Sequence, residues 1–277
     1  MKNNIFRIEH GVLLGLKDNI RCPKNINIPD TVTSIACNAF SDCCLKNIII
    51  PDTVTSIGDH AFSDCWSLKN VIIPDTVTSI GDHAFSDCWS LKNITIPDTV
   101  TSIEDFTFTD CIYLESIIIP NTVTSIGSGA FNGCTNLKNV TISSNVTHIG
   151  SGAFNRCDNL KNVTIPDTVT SIGRCAFYGC RALKSITIPD TVTSIEEFTF
   201  GKCENLKSII IPNGVTTIGD HAFDGCKRLE HIAIPNTVTS IGEYAFEGCE
   251  SLESINIPYV TNIEYNTFLN GTKIIRR

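Results

Sequence analysis

Cysteine is the residue with the most chemistry to offer in this chain: fourteen occur in 277 residues. Ten recur at a nearly constant interval, from Cys43, Cys65, Cys88 and Cys111 through to Cys249. Such thiols could form disulfides, bind a metal or serve as nucleophiles, and each role makes its own demand. A disulfide needs a particular dihedral that parallel, inward-pointing side chains rarely reach. A nucleophile needs a lowered pKa and a base within hydrogen-bond reach. Asp59, His60 and Cys65 offer such a set on paper, as do Asp82, His83, Cys88 and Asp220, His221, Cys226. The same trio copied at a fixed spacing points to a structural column, with the cysteine buried as a small, weakly polar core residue. His60 and His83, with Asp59 and Asp82 beside them, also suggest a surface zinc site, to be weighed against solvated turn residues. Cys22, Cys37, Cys44 and Cys175 fall outside the column, and the first three could meet near the first repeat in a metal or redox cluster.

The interval belongs to an internal repeat, which decides the architecture. Proline returns every 23 residues at Pro51, Pro74, Pro97 and Pro120, and again from Pro166 to Pro258, with Ser143 in the one vacant slot. The first step, from Pro29 to Pro51, is 22 residues. A representative unit, residues 51–73, reads PDTVTSIGDHAFSDCWSLKNVII. Val54, Ile57, Ala61, Phe62, Cys65, Leu68, Val71 and Ile73 are its apolar columns. One unit cannot close a core, whereas stacked units bury these columns against one another. In the segment before Pro74, Val71 and Ile73 point inward while Asn70 and Ile72 point outward. That period of two predicts a short strand, ended by a proline that cannot donate a ladder hydrogen bond. Equivalent strands would pair in parallel at ~4.8 Å and build a stack roughly 50 Å long. Val54–Ile57 reads as a second extended piece, and His60–Cys65 leaves room for one 3₁₀ or helical turn.

The pattern IPxxVTSIGxxAFxxCxxLKxIxI resembles the BspA-like leucine-rich repeat over nearly the whole chain. Phe6 to Leu13 is similar to the hairpin that opens many such proteins. The resemblance implies a leucine-rich-repeat solenoid, a β-dominated curved stack with a parallel sheet on one face. Short extended segments and 3₁₀ or helical turns would form the return leg. Residues 1–24 are expected to form a hairpin-like cap, with strands near residues 5–9 and 12–17. Residues 25–277 would hold ten full repeats and a shortened eleventh. The family also implies roles in adhesion and protein recognition.

Net charge is −8, which disfavours binding to phosphate backbones or an anionic membrane. No apolar run approaches the ~20 residues of a membrane span. The N-terminal residues contain no apolar core of a secretory signal. With many free thiols, this gives a cytoplasmic expectation; the resemblance offers the alternative of a cell surface reached by a non-classical route. No GxGxxG, Walker or HExxH motif occurs, so no cofactor and no catalysis are expected. The favoured function is a non-enzymatic scaffold for a protein or other macromolecular partner. Its candidate binding residues are Ile49, Ile72 and Ile118 on the strand face and Trp66, Trp89 and Tyr113 after the cysteines. The alternative is self-assembly through the solenoid ends. A twelfth strand would begin at Ile274, no polar C-terminal cap is apparent, and an open edge invites pairing. An unbroken row from Thr33 to Thr261 has the look of an ice-binding surface, against which stands threonine's fitness for extended positions.

Overall fold

Each 23-residue unit contributes a three-residue strand whose central residue points inward and a two-residue strand, and stacking at constant register converts the unit into one turn of a solenoid. The computed structural model describes residues 5–268 and 271–277. It forms two parallel ladders along one continuous core. One ladder begins at Asn25–Asn27, Asn47–Ile49 and Asn70–Ile72, with the burial pattern exposed, buried, exposed expected from the sequence. Equivalent positions of neighbouring units pair: Asn70 with Asn93, Val71 with Ile94, Ile72 with Thr95. The second ladder holds two-residue strands such as Ser56–Ile57 and Ser79–Ile80. Its first members are an antiparallel hairpin, Phe6–Glu9 with Val12–Leu16, on which Ser34–Ile35 pairs in parallel.

Inside, every column repeats. Phenylalanine rings stack from Phe40 to Phe268, with neighbouring centroids such as Phe131–Phe154 and Phe154–Phe177 both 5.4 Å apart. The Leu68, Leu91 and Leu114 side chains are fully buried beside them. Threonines bind the rungs together: Thr76 Oγ1 donates to the Val54 carbonyl at 2.7 Å, and Thr78 donates both N–H (2.9 Å) and hydroxyl (3.3 Å) to the Thr55 carbonyl. The threonine rows are therefore ladder components, with much of their hydrogen-bonding capacity already used.

The expected 3₁₀ or helical turn is replaced by successive tight turns; no helix occurs among the described residues. His60 and Asp64 both take positive φ, 53° and 58°, which interrupts any helical run. Between them the amides alternate. Ser63 N–H bonds within its own unit to His60, whereas Phe62 and Asp64 donate to Ala84 and Ser86 of the next. The turn region thus forms a third hydrogen-bonded row along the stack.

Two seams interrupt the ladders. The first ladder breaks between Asn93–Thr95 and Ser116–Ile118 and between Asn162–Thr164 and Ser185–Thr187. The second breaks between Ser79–Ile80 and Ser102–Ile103 and between Ser171–Ile172 and Ser194–Ile195. In the second ladder the next residue is usually glycine, packed hard on its neighbour. A Cβ on Gly81 would lie 2.7 Å from the Asp59 nitrogen, and one on Gly150 would lie 2.5 Å from the Gly127 carbonyl carbon. At both second-ladder breaks that glycine is a glutamate, Glu104 or Glu196. Gly81 and Gly127 donate across the rungs to Ile57 and Ile103, whereas among the described residues Glu104 and Glu196 make no equivalent bond. Glu264, in the shortened last unit, keeps its bond to Ile241.

At the C-terminal edge, Lys273–Arg276 pairs in parallel with Ser254–Ile257. Arg276 donates to the Pro258 and Thr261 carbonyls, and Arg277 to that of Ile234. The sequence reading expected no polar cap here; on this strand Lys273 and Arg276 flank exposed Ile274 and Ile275. Residues 1–4, on which the expectation of no signal segment partly rests, lie outside the described residues. No helix among the described residues is long and apolar enough to cross a membrane.

Candidate functional site

Alternation along each strand places residue types on the solenoid face that the core does not constrain. Ile49, Ile72 and Ile118 project from this face, Ile72 with 79% of its surface exposed. Between Ile72 and Ile118 the row holds Thr95. The shorter side chain lies at the first-ladder seam, where a depression of about 310 Å³ is lined by Asn93, Thr95, Asp98, Ser116, Ile118 and Pro120. A row of asparagines runs beside the isoleucines, and Asn47 Nδ2 donates to Asn25 Oδ1 at 2.7 Å. Exposed Lys46, Lys69 and Lys92 border the strands on one side, and Asp52, Asp75 and Asp98 on the other. All ion pairs among the described residues lie from Glu115 onward, as in Lys138–Glu115 at 2.9 Å and Lys202–Asp224 at 2.9 Å. The charges bordering Ile49 and Ile72 are therefore not neutralised within the chain.

The aromatic candidates divide. Trp66 and Trp89, about half exposed, stack on each other with centroids 6.0 Å apart. Trp89 Nε1 donates to Asp87 Oδ1 at 3.3 Å. Tyr113 is exposed but sits one position further on: its N–H bonds to the Trp89 carbonyl as that of Ser90 bonds to Trp66. Ile112 occupies the tryptophan slot in that unit, and Tyr113 does not extend the ring stack.

The Asp–His–Cys trios are not assembled for catalysis. Cys65 is buried, and its thiol donates to the Phe40 carbonyl at 3.2 Å. Burial pushes its pKa well up, opposite to what a nucleophile requires. Asp59 Oδ1 accepts the Asp82 N–H at 3.1 Å, and the His60 ring stacks on His83 at 4.5 Å. Cysteines from Cys65 to Cys249 repeat the first pattern. Cys43 departs from the expected internal column and is only half-buried. Cys37 is exposed and lines a groove with Ser34, Ser56 and Asp59, so it does not join the electrostatically coupled set of Cys22, Cys43 and Cys44. Among the described residues no three His, Cys, Asp or Glu side chains are grouped to hold a metal ion.

One column extends beyond the His60–His83 pair read from the sequence. His60, His83 and Phe106 stack in successive units, and so do Phe198, His221 and Tyr244. Each residue lies two positions before the core phenylalanine, a column legible had it been aligned as one. Burial, then the charge of His60, lowers the His83 pKa despite nearby Asp82 and Asp105. Exposed Tyr259 and Tyr265 also give the C-terminal half apolar surface that the sequence reading did not weigh, and Ile210 is exposed on the strand face there.

Repeats of this length, joined by parallel strands around Phe, Leu and Cys columns, define a leucine-rich-repeat solenoid. The BspA-type leucine-rich repeat region matches residues 19–111, 55–182 and 147–275, and the chain belongs to that family. Among functionally curated proteins no significant match was found. A leucine-rich repeat protein from Bacteroides ovatus is 26% identical, with a TM-score of 0.60 over 98% of this chain and 97% of its own. A leucine-rich cell surface protein from Faecalibacterium prausnitzii is 34% identical, with a TM-score of 0.52, covering 87% of this chain and 79% of its own. The pneumococcal vaccine antigen PcpA shares the fold at 22% identity, with a TM-score of 0.62 over 92% of this chain and 80% of its own.

Proposed function

We propose that this chain is a non-enzymatic recognition scaffold that binds a protein partner on the N-terminal half of its strand face. The observation that carries this is the row Ile49, Ile72 and Ile118, exposed on a regular sheet between unpaired lysines and aspartates. Outward isoleucine adds nothing to the core, and burying each against a partner contributes about 1.5–3 kcal/mol. The opposed charge rows orient an incoming surface before apolar contact is made. Stacked Trp66 and Trp89 are a second anchor on the turn that leads into the strands. The free thiols suit a reducing compartment, and the cell-surface description of the Faecalibacterium prausnitzii protein supplies the competing location.

Two variants test the reading against a partner recovered by crosslinking in the native cell. Ile72→Asp should weaken binding at least tenfold with the melting temperature unchanged. The double variant Trp66→Ala, Trp89→Ala should lower affinity further without destabilising the chain. If Ile72→Asp binds normally, the strand face is not the site. If the double variant melts early and binds normally, the indoles are packing groups.

A further inference from the structure

The residue before each cysteine of the column takes a left-handed φ, 58° at Asp64, 57° at Asp87 and 53° at Asp110. Glycine meets that demand at no steric cost, and later units use it at Gly133, Gly179, Gly225 and Gly248. The first four units use aspartate instead, from Asp42 to Asp110. One carboxylate per unit, on units ~4.8 Å apart, makes a row of like charges that repel. Burial raises the Asp110 pKa, the charge of Asp87 raises it further, and Arg156 lowers it. Among the described residues no Lys or Arg pairs with Asp64 or Asp87. The row borders the two exposed indoles: Asp87 Oδ1 accepts from Trp89 Nε1 at 3.3 Å. Buried serines hold the carboxylates from below, Ser63 Oγ donating to Asp64 Oδ2 at 2.9 Å and Ser86 Oγ to Asp87 Oδ2 at 2.8 Å. An ionised carboxylate has about four lone-pair sites, so both keep acceptor capacity. Trp66 and Trp89 stack on each other with their planes 21° apart. The preceding unit has Cys44 and Leu45 after its column cysteine and no ring there, so the other face of Trp66 has no aromatic neighbour.

We propose that this patch captures an arginine of the protein partner, its guanidinium lying on the indoles and donating to Asp64 and Asp87. A guanidinium is planar, keeps its charge and carries five donors in a fixed fork. One such group can therefore stack on an aromatic face while it serves two carboxylates on adjoining units. An ammonium is compact and more strongly hydrated, and it presents no flat face to an indole. Bound arginine also neutralises the like charges, which removes the repulsion that the free chain carries along the row. The proposal rests on the reading that the N-terminal half meets a protein partner, and it adds the chemistry of the group that docks beside the strand face.

Both tryptophans of the chain lie in the patch, so indole fluorescence reports on it directly. The test titrates the full chain with hexaarginine, hexalysine and hexacitrulline, the last matching arginine in shape without its charge. Hexaarginine should change the indole emission saturably and bind at least roughly threefold more tightly than hexalysine, and hexacitrulline should leave the emission unchanged. The double variant Asp64→Asn, Asp87→Asn keeps both indoles, and asparagine tolerates the left-handed φ. It should weaken hexaarginine at least roughly tenfold with the melting temperature unchanged. The double variant Asp167→Asn, Asp190→Asn removes the same charge from the C-terminal half and should bind as wild type does. The proposal is overturned if hexalysine binds as tightly as hexaarginine, if hexacitrulline gives the same emission change, or if the two double variants lose affinity equally. The ranking of the three peptides on the wild-type chain decides the matter even where a variant folds poorly. With the crosslinked partner, binding lost in Ile72→Asp but kept in Asp64→Asn, Asp87→Asn would remove the arginine and leave the scaffold reading standing.

Discussion

Each interior cysteine, from Cys65 to Cys249, gives up its S–H to a carbonyl inside the stack, and burial raises its pKa. That turns a static column into a titratable one. A thiol with a pKa near 9 in the unfolded chain and a higher value in the folded chain stays protonated longer when folded. Above pH 9 the unfolded state therefore binds fewer protons, and stability falls as pH rises. The loss begins near the ordinary thiol value of 9.0 and runs toward the folded values, about 12 for Cys249. Each thiol removes about 1.4 kcal/mol per pH unit in that window. All nine buried thiols shift in the same direction, so their losses reinforce one another as pH rises. The melting temperature should hold between pH 7 and 8.5 and collapse above 9. Replacing both Cys134 and Cys157 by serine should make that fall shallower by two protons; an unchanged slope would assign it to lysine and tyrosine instead. At this scale the sequence was informative about what lies inside, because period-two alternation and the phenylalanine column report burial directly. It was silent on Cys43, which is only half-buried in the first full unit.

Among the elements, the strands were legible and the turns were not. Asn70 to Ile73 announces its faces by alternating polarity, and Pro74 announces its end. His60 to Cys65 shows no such signal, since its path is set by main-chain handedness at His60 and Asp64 and by amides that bond across units. The seams were also hidden, because a ladder bond depends on how closely two rungs approach, which no single unit reveals. Gly81 and Gly150 are two positions where that approach is close. Glu104→Gly should let the Ser79–Ile80 and Ser102–Ile103 rungs close. Two or three restored hydrogen bonds, offset by the entropy of a new glycine, would stabilise the chain by about 1–2 kcal/mol. Gly150→Glu should do the reverse, costing ~1–3 kcal/mol as the rungs are forced apart. Paired urea titrations would check both; equal midpoints for Glu104→Gly and wild type would detach the seam from the glutamate.

Across the whole molecule, repeat architecture could be read from the spacing of proline and phenylalanine alone, since one register serves every unit. The candidate surface was legible only in part. The outward isoleucines followed from alternation, whereas the Thr95 depression and the uncommitted charges of the first units depend on neighbours. The apolar Tyr259 and Tyr265 were passed over because they stand where the repeat degenerates. The seams have a mechanical meaning as well. Hydrogen-bonded rungs share a load, but at the two breaks the strand ladders drop out and tension passes through the turn row, as in Phe85 N–H to Thr107 O and Phe177 N–H to Thr199 O, with stacked rings and buried side chains beside it. A chain pulled by its ends should therefore give way as three segments instead of peeling turn by turn. The middle segment, bounded on the second ladder by Ser102–Ile103 and Ser171–Ile172, should release a single extension on the order of 250 Å at ~3.4 Å per residue. Optical-trap traces would show it as a discrete rip, and a smooth series of one-unit steps would mean that the seams bear force as well as the ladders do. A recognition scaffold built this way would be a spring with two compliant joints, the first of them beside the surface proposed to meet its partner.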